Sequence, residues 1–422
     1  SLHRGLLLPQ QLLEDTPLTI AGYAPENFSG QYKGLVAAEE ALSQSLNIPF
    51  VRLLQKVRID SFVAFLESAG LSDHTPAGEL GLSLILGGME TSPWALTQTY
   101  LTLASGGTSG PISYLKDAAD RPSLRVLSPG AVYLTHKTLQ RKDRPDYPER
   151  QKFSRQQSAI VWKTGTSQGR RDAWSIGMND RYLVAVWTGN LDQSGSPELV
   201  GARAAAPLMF DLLEALPSTG AKPKDYTDSL TEVEICRFSG FRPNSHCPHK
   251  ETVLGLAHNI PLATCPYHQS FLIERDSGKR VYRSCTQGLE VEKRVYTIPP
   301  ANMRRMLSYD MGDFSPFPAL HPSCKERPVS PGEGSLMISS PKDNFTYMAL
   351  TSMGQDNLAL PLAVKSAAGS QDVACFFNGK QIEVVGRGGF QAVLKATGGR
   401  HRLHCYDTDG EHASVTFVVE EI

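Results

Sequence analysis

Lys163-Thr164-Gly165-Thr166-Ser167 places one ammonium and three hydroxyls around a glycine. That set suits the anionic end of a peptide. Lys163 would supply charge, and Thr164 and Thr166 hydroxyl donors, with Ser167 beside them. Gly165 has no side chain, so a ligand could approach the backbone. The Thr166 N–H would serve as an oxyanion donor. On an open edge strand, an extended peptide could add as a further strand. Far upstream lies a second polar triplet, Ser45-Leu46-Asn47. Ser45 offers a hydroxyl that could pass a proton beside an ammonium such as Lys163, and Asn47 a side-chain amide that could hold a polar ligand. Each triplet also has a plain reading. Lys163 to Thr166 alone could be a solvent-facing edge strand, and Ser45 or Asn47 alone a helix cap.

These residues need elements to hold them. Residues 34–69 read as helices, because Leu35, Ala38 and Leu42, then Val51, Leu54 and Val57, repeat at helical spacing. Pro49 marks the break that carries Ser45-Leu46-Asn47. Leu82 to Gly88 is an apolar run closed by paired glycines, and residues 92–105 read as a helix. Around Ile160 the pattern becomes strand-like. Residues 160–166, 172–177 and 182–189 form three expected strands of an antiparallel meander, and 203–216 an apolar helix. Helices with an antiparallel sheet make an α+β domain.

Composition then shifts. Residues 218–331 are rich in Pro, Cys and His and read as an extended connector tied by disulfides. From residue 332 the chain is all β, with strands expected at 336–339, 358–365, 373–377, 390–395, 402–406 and 414–419. Asn378-Gly379 and Asp409-Gly410 are hairpin-turn signals. The module reads as a small β-sandwich. The expected domains are therefore 1–217, 218–331 and 332–422. A chain of 422 residues fits two or three domains.

The two triplets, in this order, resemble the Ser-x-Asn and Lys-Thr-Gly elements of the penicillin-recognising serine enzymes. The resemblance extends along the chain. Pro9–Asp15, Tyr23–Phe28 and Ala38–Asn47 look like the stretch after the nucleophile helix in bifunctional class A penicillin-binding proteins. Lys163–Ser167, Arg171–Trp174 and Val186–Gly189 are similar to the 1C type, as is a Cys-rich connector followed by a β-sandwich. The resemblance implies a partial transpeptidase domain of β-lactamase/transpeptidase-like fold, then the penicillin-binding carboxy-terminal β domain. It implies D,D-transpeptidation of peptidoglycan stem peptides through an acyl-serine, and trapping by β-lactams. It further implies the periplasmic face of the bacterial inner membrane, with no cofactor, no metal and no nucleic acid. Its catalytic residues here are Ser45 and Lys163. Its substrate-binding residues are Asn47, Thr164, Gly165, Thr166 and Ser167.

One family element is missing. The nucleophile belongs to a Ser-x-x-Lys helix some tens of residues before Ser45. Two such strings occur, Ser113 to Lys116 and Ser339 to Lys342. The first lies between the other motifs. The second contains Pro341, which breaks a helix. Both read as chance. The chain starts at Ser1 without Met, so it is expected to be the downstream part of a longer protein. The nucleophile, glycosyltransferase domain and membrane anchor are expected upstream, and this chain alone is expected to be inactive. A rival reading is a non-catalytic scaffold whose β domain docks periplasmic proteins or glycan. A serine β-lactamase fits less well, since that compact fold needs neither connector nor sandwich.

The remaining features narrow partners. Net charge is −1, so no global field favours nucleic acid or anionic lipid. No apolar run is long enough for a membrane span. All seven cysteines follow residue 235, which suits an oxidising compartment. Cys236, Cys247-Pro248-His249 and Cys265-Pro266-Tyr267-His268 could ligate zinc, but the spacings are irregular and disulfides are the preferred reading. Cys375 and Cys405 fall on neighbouring expected strands and would bridge the sandwich. Trp162, Trp174 and Trp187 read as core. Arg170, Arg171 and Asp172 read as a turn with a structural salt bridge or a minor substrate contact. The sequons at Asn27 and Asn344 carry no meaning in a bacterial protein.

Overall fold

Gly34 takes a positive φ of 79° and opens a strand, where the sequence pattern suggested a helix. The structure is a computed structural model. It describes the chain except residues 19, 21–22, 72–80, 114–122, 142–143, 145–159, 218–225, 299–313, 316–317, 325–335, 350–357, 366–372, 386–388, 408–411 and 422. Two compact units emerge, one of Ser1–Pro266 and the other of Tyr267–Pro300 with Ser308–Ile422.

In the first unit, β1 (Leu12–Asp15) pairs antiparallel with β2 (Gly34–Ala37). Pairing of Leu13 with Val36 claims those apolar residues for a sheet, so the helices start only at Ala38. They are α1 (Ala38–Ser43), α2 (Asn47–Val57) and α3 (Ile59–Ser68). Leu82–Leu86 is a short 3-10 turn ended by Gly87 in the left-handed region. Helix α4 (Pro93–Ala104) starts where Ser92 Oγ accepts from the Ala95 N–H at 3.1 Å, with Pro93 in its first turn. A short pair, β3 (Thr108–Ser109) and β4 (Leu124–Arg125), precedes α5 (Pro129–Leu139), a helix not anticipated from sequence.

The expected meander follows as β5 (Val161–Thr166), β6 (Asp172–Met178) and β7 (Leu183–Gly189), in the order β5-β6-β7. A π-turn at Gly201–Ala205 leads into α6 (Ala206–Ala215). Strand alternation sends Trp162 and Val186 to one face, against Met209, Phe210 and Leu213 of α6. The Trp162 and Phe210 rings meet edge-on at 5.1 Å. Val161 and Met178 face the other way, against Leu139 of α5 and partly buried Leu42 and Leu103. Fully burying each such side chain contributes about 1.5–3 kcal/mol. The sheet is thus covered on both faces, and β5 is its edge. A hairpin of β8 (Leu230–Cys236) and β9 (Lys250–Leu256) completes this unit.

The second unit opens with β10 (His268–Glu274), flanked by β11 (Arg280–Val281) and β12 (Val291–Thr297). Strands therefore occupy much of 230–297, where composition suggested an extended connector. Cys285 and Cys324 are disulfide-bonded. The all-β part is a sandwich of two sheets. One holds β13 (Met337–Ser340), β15 (Leu358–Lys365) and β18 (Gly389–Ala396), with β15 central. The other has the order β14-β20-β19-β16-β17: β14 (Thr346–Ala349), β20 (His412–Glu421), β19 (Gly399–Asp407), β16 (Val373–Phe377) and β17 (Lys380–Ile382). Leu362, Leu394, Leu403 and Phe417 lie in the shared core. Asn378 and Gly379 both take positive φ and turn β16 into β17, as the pair predicts. The Asp409-Gly410 turn lies outside the described residues. Cys375 and Cys405 do form a disulfide, with Cα atoms 4.0 Å apart. It joins β16 to β19 within one sheet and does not cross the sandwich, because those strands are register partners.

No helix among the described residues is long and apolar enough to cross a membrane.

Candidate active site

Helix α1 ends in a tight turn. The Ser45 N–H donates to Leu42 O at 3.2 Å and the Leu46 N–H to Ala41 O at 3.0 Å. Ser45 itself sits at φ 57°. A left-handed non-glycine residue costs roughly 1–2 kcal/mol. The turn swings the half-buried Ser45 hydroxyl toward β5, where Lys163 Nζ donates to it in a short hydrogen bond. Lys163 Nζ also donates to Thr164 O at 2.8 Å. The two distant triplets therefore meet at the edge of the sheet. Trp162 lies on the α6 side of β5, and alternation turns Lys163 to the opposite side.

Neither Ser45 nor Asn47 caps α2. The cap position is Leu46, which has no capping side chain. Asn27 performs that task from another loop. Its Oδ1 accepts from the Asn47 N–H at 2.8 Å and the Ile48 N–H at 3.3 Å, satisfying the first turn of α2. Its Nδ2 donates to Asp15 Oδ1 at 2.8 Å and Gln31 O at 2.9 Å. Asp15 is fully buried and also accepts from the Lys33 N–H at 2.8 Å. Asn47 Nδ2 donates to Glu26 O at 2.7 Å.

The β5 motif is held from behind. Thr166 Oγ1 accepts from the Gly201 N–H at 3.0 Å, which leaves the hydroxyl hydrogen to donate elsewhere. Ser167 Oγ accepts from the Asp172 N–H at 2.8 Å and the Arg171 N–H at 3.2 Å, so it closes the β5–β6 loop. Gly165 is exposed, and a Cβ there would meet only Trp174 Cβ, at 3.6 Å. Buried Arg144 donates to Trp162 O at 2.8 Å and stacks over the Trp162 ring at 3.6 Å, pinning the backbone next to Lys163. On the face of the sheet that carries Val161, burial pushes the Tyr100 phenol up to about 12, so it is neutral.

Gly201 approaches the motif closely. A Cβ there would lie 2.4 Å from Gly165 O and 2.6 Å from Trp174 O. Both are backbone atoms in a paired ladder and cannot give way. Gly201→Ala is expected to cost about 2 kcal/mol through this overpacking. A lowered melting temperature of the purified chain would register it.

Other expectations resolve as follows. Trp162 is core, while Trp174 and Trp187 are half-buried and pair at 6.3 Å. Among the described residues Asp172 makes no ion pair with Arg170 or Arg171. Its Oδ1 accepts from Trp187 Nε1 at 2.9 Å. Arg170 lies 5.6 Å over the Phe28 ring. Ser339 and Ser340 lie in strand β13, so that Ser-x-x-Lys string is no helix. Tyr114 to Lys116 lie outside the described residues. Asn27, Asp15, Arg144 and Gly201 were not singled out as site residues from sequence. Asn27 had only its place in the family-like stretch Tyr23–Phe28.

The family model for the penicillin binding protein transpeptidase domain matches residues 1–209. Penicillin-binding protein 1C of Escherichia coli is 29% identical over 441 residues, covering 100% of this chain and 54% of that protein. Penicillin-binding protein 1B of Vibrio cholerae is 30% identical over 210 residues, covering 46% of this chain and 26% of that protein. The chain thus spans about half the length of the first relative and a quarter of the second. The crystal structure of penicillin-binding protein 1A from Haemophilus influenzae matches with a TM-score of 0.50 at 20% identity, over 62% of this chain and 47% of that one. That last likeness is one of fold. Motif order, domain match and full-length relative agree: residues 1–209 form a penicillin-binding protein transpeptidase domain, and the chain along its whole length is similar to the 1C type.

Proposed function

We propose that this chain supplies the proton-relay and substrate-binding half of a peptidoglycan D,D-transpeptidase site. The contact of Lys163 with Ser45 carries the reading, because it joins two motifs 118 positions apart on an open edge strand. In the reaction, a serine oxygen attacks the penultimate D-alanine carbonyl of a stem peptide. An ester forms and the C–N bond to the terminal D-alanine breaks. Ser45 gives its proton to the departing nitrogen and regains one, through Lys163, from the attacking serine hydroxyl. An amine of a neighbouring stem then attacks the ester, forms the cross-linking amide and returns a proton by the same relay to the released serine. Lys163, Thr164, Thr166 and Ser167 bind the terminal carboxylate. Gly165 admits the peptide backbone, Asn47 holds a substrate amide, and the Thr166 N–H faces the oxyanion. A β-lactam would enter by the same route and stay as the ester.

The attacking serine is proposed to lie outside residues 1–422, since Ser339 and Ser340 lie in strand β13 and Ser113–Lys116 falls between the other two motifs in the chain. The functional divisions remain 1–217, 218–331 and 332–422. The last is proposed to dock periplasmic partners. The proposed setting is the periplasmic face of the inner membrane.

The test is intact mass after incubation with benzylpenicillin, for this chain and for a version carrying the coding sequence upstream of Ser1. One adduct on the extended protein and none on this chain is expected. No adduct on either would favour the scaffold reading. An adduct on this chain would place the nucleophile within residues 1–422.

A further inference from the structure

Three cysteines outside the transpeptidase site carry no disulfide: Cys236, Cys247 and Cys265. All belong to the first unit, and three turns bring them together. Cys236 ends β8, where the Ser239 and Gly240 N–H groups both donate back to Cys236 O, at 3.1 and 2.8 Å. Cys247 closes a turn in which its N–H donates to Asn244 O at 3.2 Å. Cys265 is held by its N–H to Arg242 O at 2.7 Å. The three sulfurs all lie within 4.8 Å of one another. Cys236 and Cys265 are buried, and Cys247 is half-buried.

We propose that Cys236, Cys247 and Cys265 bind one zinc ion as a structural site. Three clustered thiolates are the core of the standard structural zinc sets. With zinc–sulfur bonds of about 2.3 Å, tetrahedral ligands stand about 3.8 Å apart, so only small side-chain shifts are needed. Zinc entry displaces three thiol protons. The sulfurs already receive the outer-shell donors such sites use. Asn244 N–H reaches Cys247 Sγ at 3.3 Å, and Ser239 O–H reaches Cys265 Sγ at 3.2 Å. Redox logic points the same way. The chain contains two disulfides, Cys285–Cys324 and Cys375–Cys405. In a compartment that forms those, three adjacent thiols would oxidise unless a metal held them. The sulfurs are largely buried and lie outside the Ser45–Lys163 site, so the role is structural. The Ser239 turn also supports the strand leading toward the active site, accepting the Leu12 N–H at 2.9 Å.

The test uses the full chain, purified without chelator, then incubated with zinc chloride and gel-filtered. Elemental mass spectrometry is expected to find about one zinc per chain. Thiol titration in denaturant with chelator is expected to find three thiols. Cobalt(II) in place of zinc should give thiolate-to-metal charge-transfer bands. Cys285→Ser/Cys324→Ser is expected to keep the zinc, and Cys247→Ser to lose it. The two assays on the unsubstituted chain decide the matter even if a variant fails to fold. Less than a tenth of an equivalent of zinc overturns the proposal, and one thiol in place of three would show that a disulfide occupies the cluster. Zinc retained in full by Cys247→Ser, with that variant folded, overturns it as well.

Discussion

Lys163→Ala is expected to slow acylation by benzylpenicillin about a thousandfold in the upstream-extended protein. Lys163 is proposed to serve two functions there. It donates to Ser45 Oγ, and its charge faces the site where a ligand carboxylate is proposed to sit. Proton relay by a positioned group accounts for about 10²–10⁴ in rate, and the lost ion contact adds to it. Folding should change little. Lys163 is half-buried and exchanges hydrogen bonds, not apolar packing, so the stability loss is expected near 1 kcal/mol. Lys163→Arg should not rescue activity. The planar guanidinium is larger and cannot place a point charge on Ser45 Oγ while reaching Thr164 O. A time course with fluorescent penicillin reads the rate. A loss smaller than fivefold would remove Lys163 from the mechanism.

Asn27→Ala is expected to act through position, not chemistry. The buried amide makes four hydrogen bonds, two at the start of α2 and two toward Asp15 and Gln31. Removing it uncaps α2 and withdraws a donor from a fully buried carboxylate. A lost cap and an under-satisfied buried acceptor together cost about 3 kcal/mol. For a unit of this size that is a fall of about 6–12 °C in melting temperature. The residues next to the uncapped end are Ser45 and Leu46, so the relay hydroxyl loses its fixed position. Acylation is expected to fall at least tenfold at temperatures where the protein remains folded. Circular dichroism on heating measures the first effect and penicillin labelling at 15 °C the second. A destabilised variant with unaltered labelling would make Asn27 purely structural.

Much of this molecule is legible in its sequence because local rules and tertiary packing agree there. The meander β5–β7 follows from short strand-like runs with polar turns. Helix α4 follows from Ser92 and Pro93 before an apolar run. Six of the eight described sandwich strands lie within a few residues of their expected bounds, the short β14 and β17 having no counterpart among the expected strands, and Asn378-Gly379 turns where that pair should. What escaped is non-local. Residues 34–37 are apolar at a spacing that also suits a helix, and only pairing with β1 makes them a strand. The cap of α2 comes from Asn27, twenty positions upstream. Arg144 and Gly201 act on β5 through contacts that no spacing encodes. The cysteines near 236–265 looked irregular in sequence because three separate turns gather them.

The most direct test is a double-mutant cycle between Ser45 and Lys163 on the acylation rate of the upstream-extended protein. Ser45→Gly is the suitable partner, because glycine accepts the φ of 57° and removes the hydroxyl without straining the turn. If the two side chains form one relay, each single variant loses about a thousandfold and the double variant is scarcely slower than either. If the losses multiply, the residues act separately, and their contact at the edge of β5 is not the catalytic unit.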